Sequence, residues 1–135
     1  MFYSKLNRII FLLLFLGSQT MIFSEKPRIS WDEYNYSFLE VYKLKRNANK
    51  GNYDDAYKLG MYYYVIKKND DKSIFWLKKA ASGYHIEAIR ELINYYLIVD
   101  SNKNEGIIRI YKDQLKEIAI KNKQPENYYY DDLIK

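Results

Sequence analysis

Residues 55–88 read DAYKLGMYYYVIKKNDDKSIFWLKKAASGYHIEA. Two apolar stripes run through this stretch at helical spacing. Leu59, Gly60 and Tyr63 form the first; Ile74, Leu77, Ala80 and Ala81 form the second. The polar run Lys67-Lys68-Asn69-Asp70-Asp71 separates them, so the stretch predicts a pair of helices joined by a short bend, then the start of a third helix. Gly60 falls inside the first helix, where it costs about 1 kcal/mol relative to Ala. Its presence predicts a packing reason: a glycine on an inward face lets another helix approach closely. A pair of this size cannot bury both faces alone and is expected to stack on neighbours.

Working outward, the pattern predicts five helices. The first runs from Trp31 to Ala48, with Ser30 as N-cap and Glu33 as its capping-box partner. Trp31, Tyr34, Phe38, Val41 and Tyr42 make its apolar stripe. Asn47 to Asn52 is a turn in which Gly51 suits a left-handed cap. The second helix is Tyr53 to Ile66 and the third Asp71 to Ser82, ended by Gly83. The fourth is Glu87 to Val99, with Ala88, Leu92 and Tyr96 on one face. The fifth is Glu105 to Lys121, with Ile107, Ile108, Tyr111, Leu115, Ile118 and Ala119 inward, stopped at Gln124-Pro125. Adjacent tyrosines on a helix point about 100° apart, so Tyr62-Tyr63-Tyr64 cannot all face the core.

The N-terminus reads MFYSKLNRIIFLLLFLGSQTMIFS (1–24). Lys5 and Arg8 precede an unbroken apolar run, Ile9 to Leu16, which Gly17 and Ser18 break. The run is too short for a comfortable membrane span and has the composition of a secretory signal. Cleavage near Ser24 is expected; the alternative is an uncleaved inner-membrane anchor extended by Met21 to Phe23. The chain then divides into a leader (1–24), a linker (25–30), a helical domain (31–123) and a tyrosine-rich tail (124–135). A periplasmic or secreted location follows from the leader.

Composition excludes several function classes. With no cysteine, disulfides, thiolate metal sites and cysteine nucleophiles are ruled out. The net charge is +5, and without Lys5 and Arg8 the balance is 20 basic against 17 acidic residues. That is too mild and mixed for a nucleic-acid surface, which needs a dense basic face. His85 is the lone histidine, a poor start for a metal site, and a turn or capping role is expected of it. Asp54 and Asp55 are neighbours that point in different directions. They are expected to complement a helix N-terminus rather than act as an acid/base pair. No carboxylate pair stands in an apolar context that would split two pKa values. No cofactor, metal or catalytic residue is expected, and the chain reads as a non-enzyme.

Leu59 and Tyr63 recur as Leu92 and Tyr96, 33 residues later, and Gly51 and Gly83 precede them at nearly the same offset. Two helices per unit with a period of this size is the pattern of an α-solenoid. At these residues the chain resembles the Sel1-like repeat family, relatives of the tetratricopeptide repeats. The resemblance rests on Leu59-Gly60, Tyr63, Lys72, Trp76, Lys79-Ala80-Ala81 and Ala88. It is good across 51–96 and weaker on either side. The glycine-rich bend of the family is shortened, and Ile93 stands where the second unit's glycine would be, so the second helix pair is expected to sit further apart. The implied fold is all-α: a short α-solenoid of about five antiparallel helices, or two and a half units.

What the resemblance implies is binding. The first helix of each unit lines the concave face in such proteins. Carried over by position, Tyr57, Met61 and Tyr64 face the groove from the first unit, and Arg90, Asn94 and Leu97 from the second. Leu59, Tyr63, Trp76, Ala80, Leu92 and Tyr96 are the implied core. The expected function is an exported interaction module or scaffold with a protein partner. The alternative is a small periplasmic inhibitor or immunity-type protein that neutralises an enzyme or toxin. Contact with a membrane is expected only through a retained leader.

Overall fold

A helix begins where a side chain can satisfy its first free N–H groups. In the computed structural model, which describes residues 31–125 together with Tyr128 and Tyr129, that rule places the first α-helix later than the sequence pattern suggests. Trp31–Tyr34 is a 3₁₀ turn and α1 spans Phe38–Asn49. Its N-cap is Ser37: the Ser37 hydroxyl accepts from the Glu40 N–H at 3.4 Å, and the Glu40 carboxylate accepts from the Ser37 N–H at 2.7 Å. The capping box is therefore Ser37/Glu40, which corrects the expected helix start at Trp31; the cap expected at Ser30 lies outside the described residues. The break also rearranges the expected stripe. Tyr34 and Val41 are buried, whereas Phe38 is 84% exposed and Tyr42 is also exposed.

The remaining helices fall within a residue of the expected bounds: α2 Tyr53–Val65, α3 Asp70–Ala81, α4 Ile86–Asp100 and α5 Glu105–Lys121. No strand occurs among the described residues. Asn52, Asn69 and His85 cap α2, α3 and α4 by accepting the N–H three residues on. The capping role expected of His85 is thus seen. Asp54 and Asp55 occupy the first turn of α2, where their charge complements the helix dipole.

Each α-helix packs antiparallel on its neighbour in sequence, and α2 also touches α4 across the top of α3. The result is an all-α stack of five helices. Ala48, Ala56, Ala80, Ala88 and Ala119 are fully buried, and their small side chains let the helix axes approach. Gly60 marks the tightest crossing: a Cβ there would lie 2.7 Å from Cγ and Cδ2 of Leu77. The α2–α3 pair is packed more closely than α4–α5. The main core runs through all five helices, from Val41 through Leu59, Trp76 and Leu92 to Leu115. A satellite cluster of Tyr34, Met61 and Val65 pins the 3₁₀ turn onto α2. Tyr62 and Tyr63 are buried and Tyr64 is exposed, as the 100° rule requires. Ile107, expected inward, is 38% exposed, because nothing among the described residues packs beyond α5 on that side.

Three helix ends share one geometry. After α1, Asn52 N–H donates to Asn47 C=O (3.1 Å) and Gly51 N–H to Ala48 C=O (3.1 Å). After α3, His85 and Tyr84 bond Ala80 and Ala81 in the same way; after α5, Gln124 and Lys123 bond Ala119 and Ile120. This is the Schellman pattern, and its left-handed residue is Gly51 (φ 95°), Tyr84 (φ 61°) and Lys123 (φ 57°). Tyr84 lies 33 residues after Gly51, the same interval as Leu59 to Leu92. Gly83, expected to end α3, serves a different purpose: it leaves room for the Tyr53 ring, which a Cβ would meet at 2.1 Å.

The leader, the linker with Ser30, and the tail apart from residues 124, 125, 128 and 129 lie outside the described residues. Among the described residues no helix is long and apolar enough to cross a membrane.

Candidate functional site

Periodicity on three helices builds one groove. On α2, Met61 and Tyr64 are one turn apart. On α3, Asp70, Ser73, Ile74 and Leu77 follow the same face. On α4, Glu91, Asn94 and Ile98 recur at 3 and 4 spacing, with Tyr95 and Val99 beside them. Because α2 and α4 meet across α3, these faces converge on a cavity of about 200 Å³. Its floor is buried: Met61 is 1% exposed, Leu77 4% and Ser73 2%. Its rim is open and apolar. Tyr64 is 47% exposed, Ile98 82% and Val99 58%.

The charges on the lining are of one sign. Asp70 and Glu91 border the groove and no Lys or Arg does. Glu91 is half-buried, and burial pushes its carboxyl above the ordinary carboxylate range, with the neighbouring Arg90 charge pulling partly back. The Glu91 charge also raises the phenols of Tyr34 and Tyr57, as a smaller effect after their own burial.

Of the six residues carried over by the resemblance, Met61, Tyr64 and Asn94 line this groove. Met61 is the floor, however, and offers only the edge of its side chain. Tyr57, Arg90 and Leu97 are elsewhere. The half-buried Tyr57 ring stacks on His85 (centroids 4.5 Å apart, planes 23°) and its hydroxyl hydrogen-bonds that of Tyr34. Burial, then that bond, pushes its phenol far above the ordinary value. Arg90 donates from Nη1 to the Tyr129 carbonyl at 2.6 Å, tying α4 to the tail. Leu97 packs against the main core. Asp70, Glu91, Tyr95, Ile98 and Val99 also line the groove, although none is among the residues expected there. The signal for two of them was present: Glu91 precedes Asn94 by three residues and Ile98 follows it by four, so all three share a face.

A second concavity surrounds His85, lined by Glu33, Tyr34, Asp54, Tyr57, Lys58 and Glu87. The His85 Nδ1 accepts the Ala88 N–H at 3.3 Å, which in the neutral ring leaves the proton on Nε2, 3.3 Å from an Asp54 carboxylate oxygen. Glu87 also lies 3.3 Å from Nδ1, a contact favourable only to a protonated ring. The cap and the Glu87 contact compete for one nitrogen. No Ser or Thr lines this concavity, and no cluster of His, Asp or Glu suited to a metal occurs among the described residues. Asp55 is likewise committed to structure: it is buried and accepts from Asn47 Nδ2 at 2.8 Å, joining α1 to α2.

No family model, curated protein or solved structure matches this chain.

Proposed function

We propose that the chain is a Sel1-like helical module, exported by its leader, that binds a protein partner through the α2–α3–α4 groove. The observation that carries this reading is the groove itself: an apolar cleft with an exposed rim of Tyr64, Ile98 and Val99 on a stack of capped helices. Apolar side chains concentrated at a concavity mark interaction sites more than scattered ones do. Helices hold such side chains in place, so little ordering cost falls on this chain when a partner binds.

The test is site-specific photocrosslinking in the source cells, with the full chain. A crosslinker replacing Tyr64 should capture a discrete protein, and Ile98→Asp should abolish capture. One replacing Phe75, which is exposed on α3 outside the groove, should not. A single enzyme captured in equal amount would identify the inhibitor form of this function. Equal labelling from both positions, or none from Tyr64, would refute the groove. The mass of the mature chain tests export by showing whether residues 1–24 are removed.

A further inference from the structure

The size and charge of the groove restrict what can occupy it. A cavity of about 150 Å³ holds one benzene-sized group, whereas small-molecule sites typically run from about 300 to 1,000 Å³. At about 200 Å³ the groove has room for one large side chain, with further contacts left to the exposed rim. A protein segment suits that shape better than a cofactor. The chain as a whole is basic, at +5, yet this lining carries Asp70 and Glu91 and no cation. Glu91 makes no hydrogen bond or ion pair among the described residues. The charge of Arg90 favours the ionised form of Glu91 less than burial disfavours it, and the Arg90 guanidinium donates to the Tyr129 carbonyl. A half-buried carboxylate in an apolar cleft is costly unless something pairs with it.

We propose that the groove takes a basic, apolar peptide segment of a partner protein, one Lys or Arg reaching Glu91 while adjoining apolar side chains cover Ile98 and Val99. This rests on the interaction reading above and names the partner's chemistry. Glu91 supplies selectivity for a cation and Asp70 reinforces it from α3. Ile98, Val99 and Tyr64 supply apolar contact area. Met61 and Leu77 set the depth to which a side chain can enter. Burial already disfavours the Glu91 charge in the free protein, and an incoming cation reverses that preference.

Short random peptides displayed on phage are selected against the full chain, and the best binder is synthesised and titrated by fluorescence anisotropy. The expected winners carry Lys or Arg next to bulky apolar residues. Replacing that Lys or Arg by Met, or making Glu91→Gln, should each weaken binding about tenfold or more, the worth of a hydrogen bond to a charged group. The two changes together should cost no more than either alone. Ile98→Asp, at an exposed position that does not endanger the fold, should weaken any peptide seated in the groove. Winners without a basic residue that are sensitive to Ile98→Asp would overturn the charge assignment and leave the groove as an interaction site. Winners insensitive to Ile98→Asp, or none, would overturn this inference; failure of the Tyr64 crosslink would separately overturn the interaction reading. Concentration-dependent dimerisation lost with Ile98→Asp would assign the groove to a second copy. Tighter peptide binding after removal of residues 1–24 would assign it to the chain's own leader. Either result overturns the proposal.

Discussion

Replacing Gly60 by Ala should destabilise the protein, although Ala is the better helix former. Propensity alone favours Ala by about 1 kcal/mol. Against this, the new Cβ would lie 2.7 Å from Cγ and Cδ2 of Leu77 and 3.3 Å from its backbone nitrogen. Leu77 is buried, so its side chain has little freedom. Overpacking of this kind costs about 1–3 kcal/mol. Leu77 borders the groove and can yield slightly towards it, which places the cost in the middle of that range. The net loss is about 1 kcal/mol, or roughly 4 °C in Tm. The decisive comparison is a double-mutant cycle with Leu77→Ala, followed by urea and thermal melts. Leu77→Ala alone should cost about 2–5 kcal/mol. In that background the clashing atoms are gone and only the 3.3 Å backbone contact remains, so Gly60→Ala should turn neutral or stabilising by up to about 1 kcal/mol. The coupling between the two sites should therefore be about 1–2 kcal/mol. If Gly60→Ala stabilises the wild type, or has the same effect in both backgrounds, close approach of α3 is not the reason for the glycine.

Other outcomes follow from particular contacts. Lys123→Gly should stabilise by about 1 kcal/mol in a thermal melt, because it relieves a left-handed lysine that is exposed at a helix end. Asp55→Ala should cost about 1–3 kcal/mol by urea titration, since it leaves the Asn47 amide without its carboxylate across α1 and α2. Glu91→Gln should raise Tm at neutral pH. The folded Glu91 carboxyl lies above its ordinary value of 4.5, so the folded state binds that proton more tightly than the unfolded one. The stability this group contributes is complete below pH 4.5 and is lost as pH rises through the raised folded value. The advantage of Glu91→Gln over wild type should consequently be smallest in acid and grow towards neutrality; the opposite slope would refute the burial argument.

Helix bounds were legible wherever punctuation was unambiguous. The Asn and Asp residues before α2 and α3 and the Gln124-Pro125 stop placed those ends within a residue. The first helix was misjudged because Ser30…Glu33 and Ser37…Glu40 both spell a capping box, and local sequence does not choose between them. Tertiary contact chose: Tyr34 enters the Met61–Val65 cluster from a 3₁₀ turn, and the chain must break before α1 can start. For the site, Met61, Tyr64 and Asn94 are expected only through the resemblance, which carries them over by position, and they line the groove. Glu91 shares the face of Asn94 by spacing, yet a glutamate on an amphipathic helix ordinarily faces water, and only the meeting of α2 with α4 over α3 closes a groove around it. Tyr57 is carried over by the same resemblance, yet His85, at the turn before α4, stacks on its ring. Arg90 was drawn off by the tail, a partner distant in sequence.

The matched turns after α1 and α3 make the stack extensible in whole steps. Asn52 and His85 accept the same N–H, three residues on, and Gly51 and Tyr84 hold the same left-handed bend. Segment 52–84 therefore enters and leaves by interchangeable joints. A second copy spliced in after Tyr84 would meet both ends without a new turn having to be invented, and would carry its own Gly60–Leu77 crossing with it. Growth of such a chain is quantised: a whole unit lengthens the stack by two helices and reuses the turn geometry already present at both joints.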